Sequence, residues 1–167
     1  MDLKRVYGKN LLSLLKLFPI VTILGPRQIG KSTLAKTVLR NFRFLDLENP
    51  DDLMQLSSDP ALGLDEAEKW VIDEAQRLPE LFPFLRSYSD RHPKKKFALL
   101  GSASPVLFKK ISESLSGRTA FLELGPVLIG EAESNSIWLR GGFPRLHWKR
   151  PKMNPDVRYP AYLRTYL

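Results

Sequence analysis

The chain contains no cysteine and only two histidines, His92 and His147. The first shortage rules out disulfide staples and thiolate metal sites, and the second leaves no zinc-type ligand spacing. No apolar run approaches the roughly 20 residues that a membrane-spanning helix needs. The opening residues, Met1-Asp2-Leu3-Lys4-Arg5, lack the apolar core and cleavage site of a secretory leader. Internal repeats and low-complexity segments are missing as well. With these classes set aside, the 167 residues, 43% of them hydrophobic, are expected to bury a real core in one domain, or in one domain and a small piece. No membrane partner is expected, and a soluble cytoplasmic protein is the default expectation.

Acidic charge is scarce at both ends. Residues 1–41 hold 8 basic and 1 acidic side chains, residues 42–90 hold 4 and 12, and residues 91–167 hold 14 and 5, for a net charge of +8. A basic balance fits a polyanion such as nucleic acid. It equally fits basic ends that offset an acidic middle, and nucleotide phosphates also call for cations. Nucleic acid is therefore the secondary expectation. Lys94-Lys95-Lys96 follows Pro93 and precedes a predicted strand, and reads as a solvated loop.

Against these absences stands a regular alternation of patterns. Residues 3–17 carry a loosely periodic apolar face (Leu3, Val6, Leu11, Leu14, Leu15, Leu17) and predict a helix, with Gly8 as its weak point. Apolar runs at 18–24, 42–47, 70–74, 96–101 and 119–124 predict five strands. Between them, helical patterns run over 31–40, 51–57, 60–68 (interrupted by Gly63), 79–90 and 105–115, with an Asp cap on the second, Ser104 as cap of the last and Gly117 as its stop. Strand and helix in turn imply an α/β fold: a mainly parallel five-stranded sheet covered by helices on both faces. After Gly125-Pro126 the pattern weakens, and 160–167 reads as the start of a further helix. We expect a core over residues 1–130, and over 131–167 a linker and the start of a further region.

One stretch carries chemistry by itself. Gly25-Pro26-Arg27-Gln28-Ile29-Gly30-Lys31-Ser32-Thr33 matches G-x-x-x-x-G-K-[ST], with a strand before it and a helix after it. Glycines let the backbone approach phosphate oxygens, and loop amides with the helix N-terminus attract the anion. Lys31 reaches the β- and γ-phosphates, and the Ser32 hydroxyl is a candidate Mg²⁺ ligand. The plain alternative is a Gly/Pro loop before an ordinary helix, which the two correct flanks disfavour. Arg27 is expected to face solvent.

The other candidates stand at predicted strand ends, where ligands bind in open α/β sheets. Asp73 and Glu74 close the third strand: Asp73 is the candidate for the Mg²⁺ shell and Glu74 for polarising the attacking water. A solvated strand end is their plain alternative. Ser102, at the end of the fourth strand, is a candidate contact to phosphate or lytic water. Arg118, between a helix and the fifth strand, reads either as a surface arginine at a helix C-terminus or as a phosphate-sensing residue supplied to a neighbouring subunit. Trp138, His147 and Trp148 are expected in the core or an interface rather than in catalysis.

Together, residues 25–33, 72–76 (IDEAQ), 99–104 (LLGSAS), 114–118 (SLSGR), 137–144 (IWLRGGFP) and 162–167 (YLRTYL) resemble the prokaryotic AAA-type ATPases that carry a C-terminal DUF4143 domain. The resemblance implies an AAA-type P-loop NTPase core, ATP with Mg²⁺, assembly through Arg118, and a helical lid followed by a winged-helix-bearing region. It also leads us to expect that this chain stops where the lid begins, without the lid's arginine. The first functional expectation is thus an Mg-ATP-binding domain that hydrolyses ATP. The alternatives are a non-catalytic nucleotide-binding or DNA-tethering module that keeps the fold, and a P-loop kinase of a small molecule, for which no substrate-binding insertion is evident.

Overall fold

A computed structural model describes residues 5–132, 135, 137, 138 and 141–147. The predicted helix over 160–167, Trp148 and most of the basic tail lie outside the described residues. The elements run α1 (Tyr7–Leu17), β1 (Ile20–Gly25), α2 (Lys31–Val38), β2 (Arg43–Asp46), α3 (Pro50–Ser58), α4 (Pro60–Asp65), β3 (Lys69–Asp73), α5 (Leu81–Arg91), β4 (Lys96–Ser102), α6 (Pro105–Ser114) and β5 (Thr119–Glu123). Short 3₁₀ turns occupy Ala75–Arg77 and Pro144–His147.

The strands form one parallel sheet in the order β2-β3-β4-β1-β5. Alternation along β1 feeds two cores. Ile20 and Leu24 point to one face with Trp70, Phe97, Phe82 and residues of α3 to α6, while Val21 and Ile23 point to the other with Leu11, Leu34 and Ala35 of α1 and α2. Burial on both faces explains why these strands read as continuous apolar runs. The one polar residue inside β1, Thr22, is satisfied by the Thr119 hydroxyl at 3.0 Å.

This topology positions the site. From β1 the chain crosses to the α1/α2 face, and from the adjacent β4 it crosses to the opposite face through α6. The carboxyl ends of β1 and β4 therefore border the crevice where connections diverge, which is where open α/β sheets take ligands.

Several local expectations need correction. Gly8 does not weaken α1; it is buried where that helix meets α2, and a Cβ there would sit 3.1 Å from Val38 Cγ2. Asn49, not an aspartate, caps α3 by accepting from the Asp51 N–H. Gly63 lies inside α4, and the break falls instead at extended Asp59, which caps α4 ahead of Pro60. Ser104 occupies the cap position of α6, but its side chain makes no capping bond. Lys95 is not solvated: it is buried, and its ammonium donates to the carbonyls of Leu64 (2.5 Å) and Ala67 (2.9 Å). Trp138 is 89% exposed and so not in the core.

Candidate functional site

The glycine-rich loop leaves β1 under tight constraint. Gly25 pairs with Ser102 of β4, and a Cβ at Gly25 would lie 2.6 Å from the Leu124 carbonyl oxygen, so no other residue fits without moving backbone. Pro26, Arg27 and Gln28 are exposed, and Gln28 takes a left-handed φ of 60°. Arg27 extends into solvent, with the Glu48 carboxylate 4.0 Å away. Buried Ile29 anchors the loop, and Gly30, at φ 97°, turns it into α2. No side chain caps α2, so its first-turn N–H groups are available to an anion.

Lys31 is only 7% exposed, and its Nζ donates to the carbonyls of Gly25 and Pro26, each at 3.0 Å. Burial lowers its pKa, Glu74 and Asp73 oppose that shift, and Arg27 adds to it. Next in the helix, the Ser32 hydroxyl lies close enough to the Asp73 carboxyl to influence its ionisation, while Thr33 is exposed. Asp73 ends β3 at 5% exposure and accepts the Glu74 N–H at 2.9 Å. Burial raises its pKa; the Ser32 hydroxyl and the Glu74 N–H lower it, and the Glu74 and Asp46 carboxylates raise it. Asp46 is its register partner on β2.

Glu74 has already left the strand. It is left-handed, at φ 51° and ψ 42°, a conformation that costs a non-glycine residue on the order of 1 kcal/mol. The Gln76 amide donates to its carboxylate, and Gln76 Oε1 is buried beside Gly101 without a partner among the described residues. Beside Gly25 opens a cavity of about 490 Å³, lined by Tyr7, Pro26, Ser104, Phe108, Leu124 and Pro126 among others.

The fold thus gathers Lys31, Ser32, Asp73, Glu74 and Ser102 at one edge of the sheet. A neighbouring hydroxyl and carboxylate make the hard oxygen donor set that Mg²⁺ takes, and the uncapped helix with its buried lysine suits phosphate. Arg118 is not among them. It stands at the opposite edge, where the Ile20 N–H donates to its carbonyl at 3.2 Å, and its guanidinium grips Asp90 at 2.9 and 3.2 Å. Sequence reasoning missed Gln76 as a partner of Glu74, although it lies within IDEAQ. It also missed Arg5 and Glu131, whose side chains meet behind the loop and carry no local signal.

The AAA domain family model matches residues 17–133. The uncharacterized proteins Rv2008c of Mycobacterium tuberculosis and Mb2031c of Mycobacterium bovis are each 40% identical over 156 residues, covering 89% of this chain and 35% of their own length. This chain therefore spans about a third of the curated relatives it matches. Among solved structures, the Walker-type ATPase paby2304 of Pyrococcus abyssi aligns with a TM-score of 0.56 at 20% identity, over 86% of this chain and 58% of that one. A signal-transduction ATPase with a tetratricopeptide-repeat sensor, PH0952 of Pyrococcus horikoshii, aligns at 0.50 and 18%, over 95% and 27%. At these identities the two structures speak to the fold.

Proposed function

The chain belongs to the AAA domain family, and from that premise we propose that it binds Mg-ATP and hydrolyses it to ADP and phosphate. The observation that carries this reading is the placement of Lys31, Ser32, Asp73 and Glu74 on one sheet edge around an uncapped helix N-terminus. Gly25 to Thr33 cradle the phosphates through backbone N–H groups. Lys31 exchanges its two loop carbonyls for phosphate oxygens. Ser32 and Asp73 hold Mg²⁺, which when bound supplies charge neutralisation at the phosphate oxygens. Glu74 accepts a proton from the attacking water, whose oxygen bonds to the γ-phosphorus as the bond to the β,γ-bridging oxygen breaks. Ser102, paired in register with Gly25, positions that water or the phosphate. Arg118 lies too far round the sheet to serve its own loop, so its contribution comes in trans, from a neighbouring copy.

Lys31→Ala tests the reading. Calorimetry should show Mg-ATP affinity reduced roughly 100-fold or more, because a buried charge-assisted contact is lost. Unchanged affinity in a folded variant would sink the assignment.

A further inference from the structure

Arg5 and Glu131 form the most enclosed ion pair among the described residues, with side chains 6% and 0% exposed. Burying a guanidinium is expensive and is sustained only where its donors are matched. Here Nη1 donates to the Ile29 carbonyl at 3.1 Å, and Nη2 to the carbonyls of Gly125 (2.7 Å) and Pro126 (3.1 Å). Nε lies 3.0 Å from Glu131 Oε2, paired as a charge rather than through an aligned hydrogen bond. Glu131 in turn accepts the N–H groups of Val6 (2.6 Å) and Leu128 (2.9 Å). The lead into α1, the glycine-rich loop and the exit from β5 thus meet at one cation.

The consequence for the loop follows from peptide geometry. A loop that turns its N–H groups toward phosphate turns carbonyls outward, and those carbonyls need donors. The Ile29 carbonyl shares a peptide plane with the Gly30 N–H. Gripping the oxygen from outside fixes where that N–H aims. The same guanidinium lies 3.9 Å from the position a Gly30 Cβ would take.

We infer that Arg5 is a positioning residue for the phosphate-binding loop, held in place by Glu131, and that the segment after β5 thereby sets nucleotide affinity. This rests on the Mg-ATP reading above. Glu131 lies in the piece expected to link the core to a following region, so the inference gives that piece a direct hold on the loop.

The test is calorimetry with Mg-ATP, with melting curves for each variant. Arg5→Ala should weaken binding roughly 10- to 100-fold, the factor carried by one or two bonds to a charged group. Arg5→Lys, which keeps the charge but not the fork, should fall between that variant and wild type. Glu131→Gln should weaken binding less, in the same direction. Lys95→Ala, which removes a buried cation at the far edge of the sheet, should lower the melting temperature and leave the affinity of the folded protein unchanged. That control separates positioning from general loss of stability. Wild-type affinity in Arg5→Ala overturns the inference alone. If Arg5→Ala does not fold, wild-type affinity in Arg5→Lys overturns it. Absence of binding by the wild type sinks the nucleotide reading, and this inference with it.

Discussion

The two ends of the sheet treat charge in opposite ways. Where the strands begin, three cations have settled partners. Lys95 is enclosed by carbonyls, Lys96 donates to the Phe18 carbonyl at 3.2 Å, and Arg118 holds Asp90. That bond keeps the Asp90 carboxyl below its usual pKa. Where the strands finish, like charges crowd instead. Asp46, Asp73 and Glu74 sit together, burial pushes Asp73 up and Lys31 down, and Gln28 and Glu74 both take left-handed backbone. Charge neutralised by its own fold stabilises that fold. Charge held apart from its preferred state marks where an outside partner completes the arrangement.

The largest expected break in this contrast is Glu74→Gln. It should lower turnover about 10²- to 10⁴-fold, the usual worth of a positioned base, while ATP affinity stays near that of wild type. Phosphate release beside calorimetry measures both. Turnover that survives in the variant would return Glu74 to being a solvated strand end.

Asp73→Asn sharpens the contrast from the stability side. The folded carboxyl has a raised pKa, so the fold disfavours its ionised form. That penalty is complete above the folded pKa and vanishes as pH falls below the unfolded value, where both states are protonated. Without ligand at neutral pH, Asp73→Asn should therefore melt about 2–4 °C higher than wild type. The gap should close as pH drops through the carboxylate range, and the dependence of ATP binding on Mg²⁺ should weaken. A variant that melts lower at neutral pH would show that Asp73 is settled after all.

The smallest effect belongs to Arg118→Ala in the isolated chain. Its exposed pair with Asp90 is of a kind that contributes little, so melting temperature and ATP affinity should match wild type. A marked loss of affinity would mean that the strand-starting end takes part in the ligand site, and a marked loss of melting temperature alone would mean that the Asp90 pair stabilises the fold.

How much of this was legible in the sequence depended on range. The five strands, the glycine-rich loop and the acidic end of β3 could be read, because apolar runs and glycine spacing are local signals. The strand order could not, since it brings Ile20 beside both Phe97 and Thr119. Lys95 was misread for a related reason: its neighbours suggested a solvated loop, whereas carbonyls of residues 64 and 67 enclose it. Arg5 and Glu131 stand at opposite ends of the core, and nothing in either neighbourhood announces the other. Glu74 was assigned to a strand because a side chain's identity does not reveal the left-handed turn beneath it.

The register of β1 has a consequence for how the protein is made. The register partners of Ile20 on its two neighbours, Phe97 and Thr119, lie 77 and 99 residues further along the chain. Pairings so distant in sequence carry a large loop-closure cost and slow the search for the native state. During synthesis, moreover, β1 emerges long before either partner exists. Ile20, Val21, Ile23 and Leu24, all buried in the finished sheet, must wait as an unpaired hydrophobic strand until β4 and then β5 leave the ribosome. Such a strand invites aggregation or chaperone capture. The glycine-rich loop hangs from it, so the nascent chain should acquire nucleotide binding only after nearly the whole core has been translated.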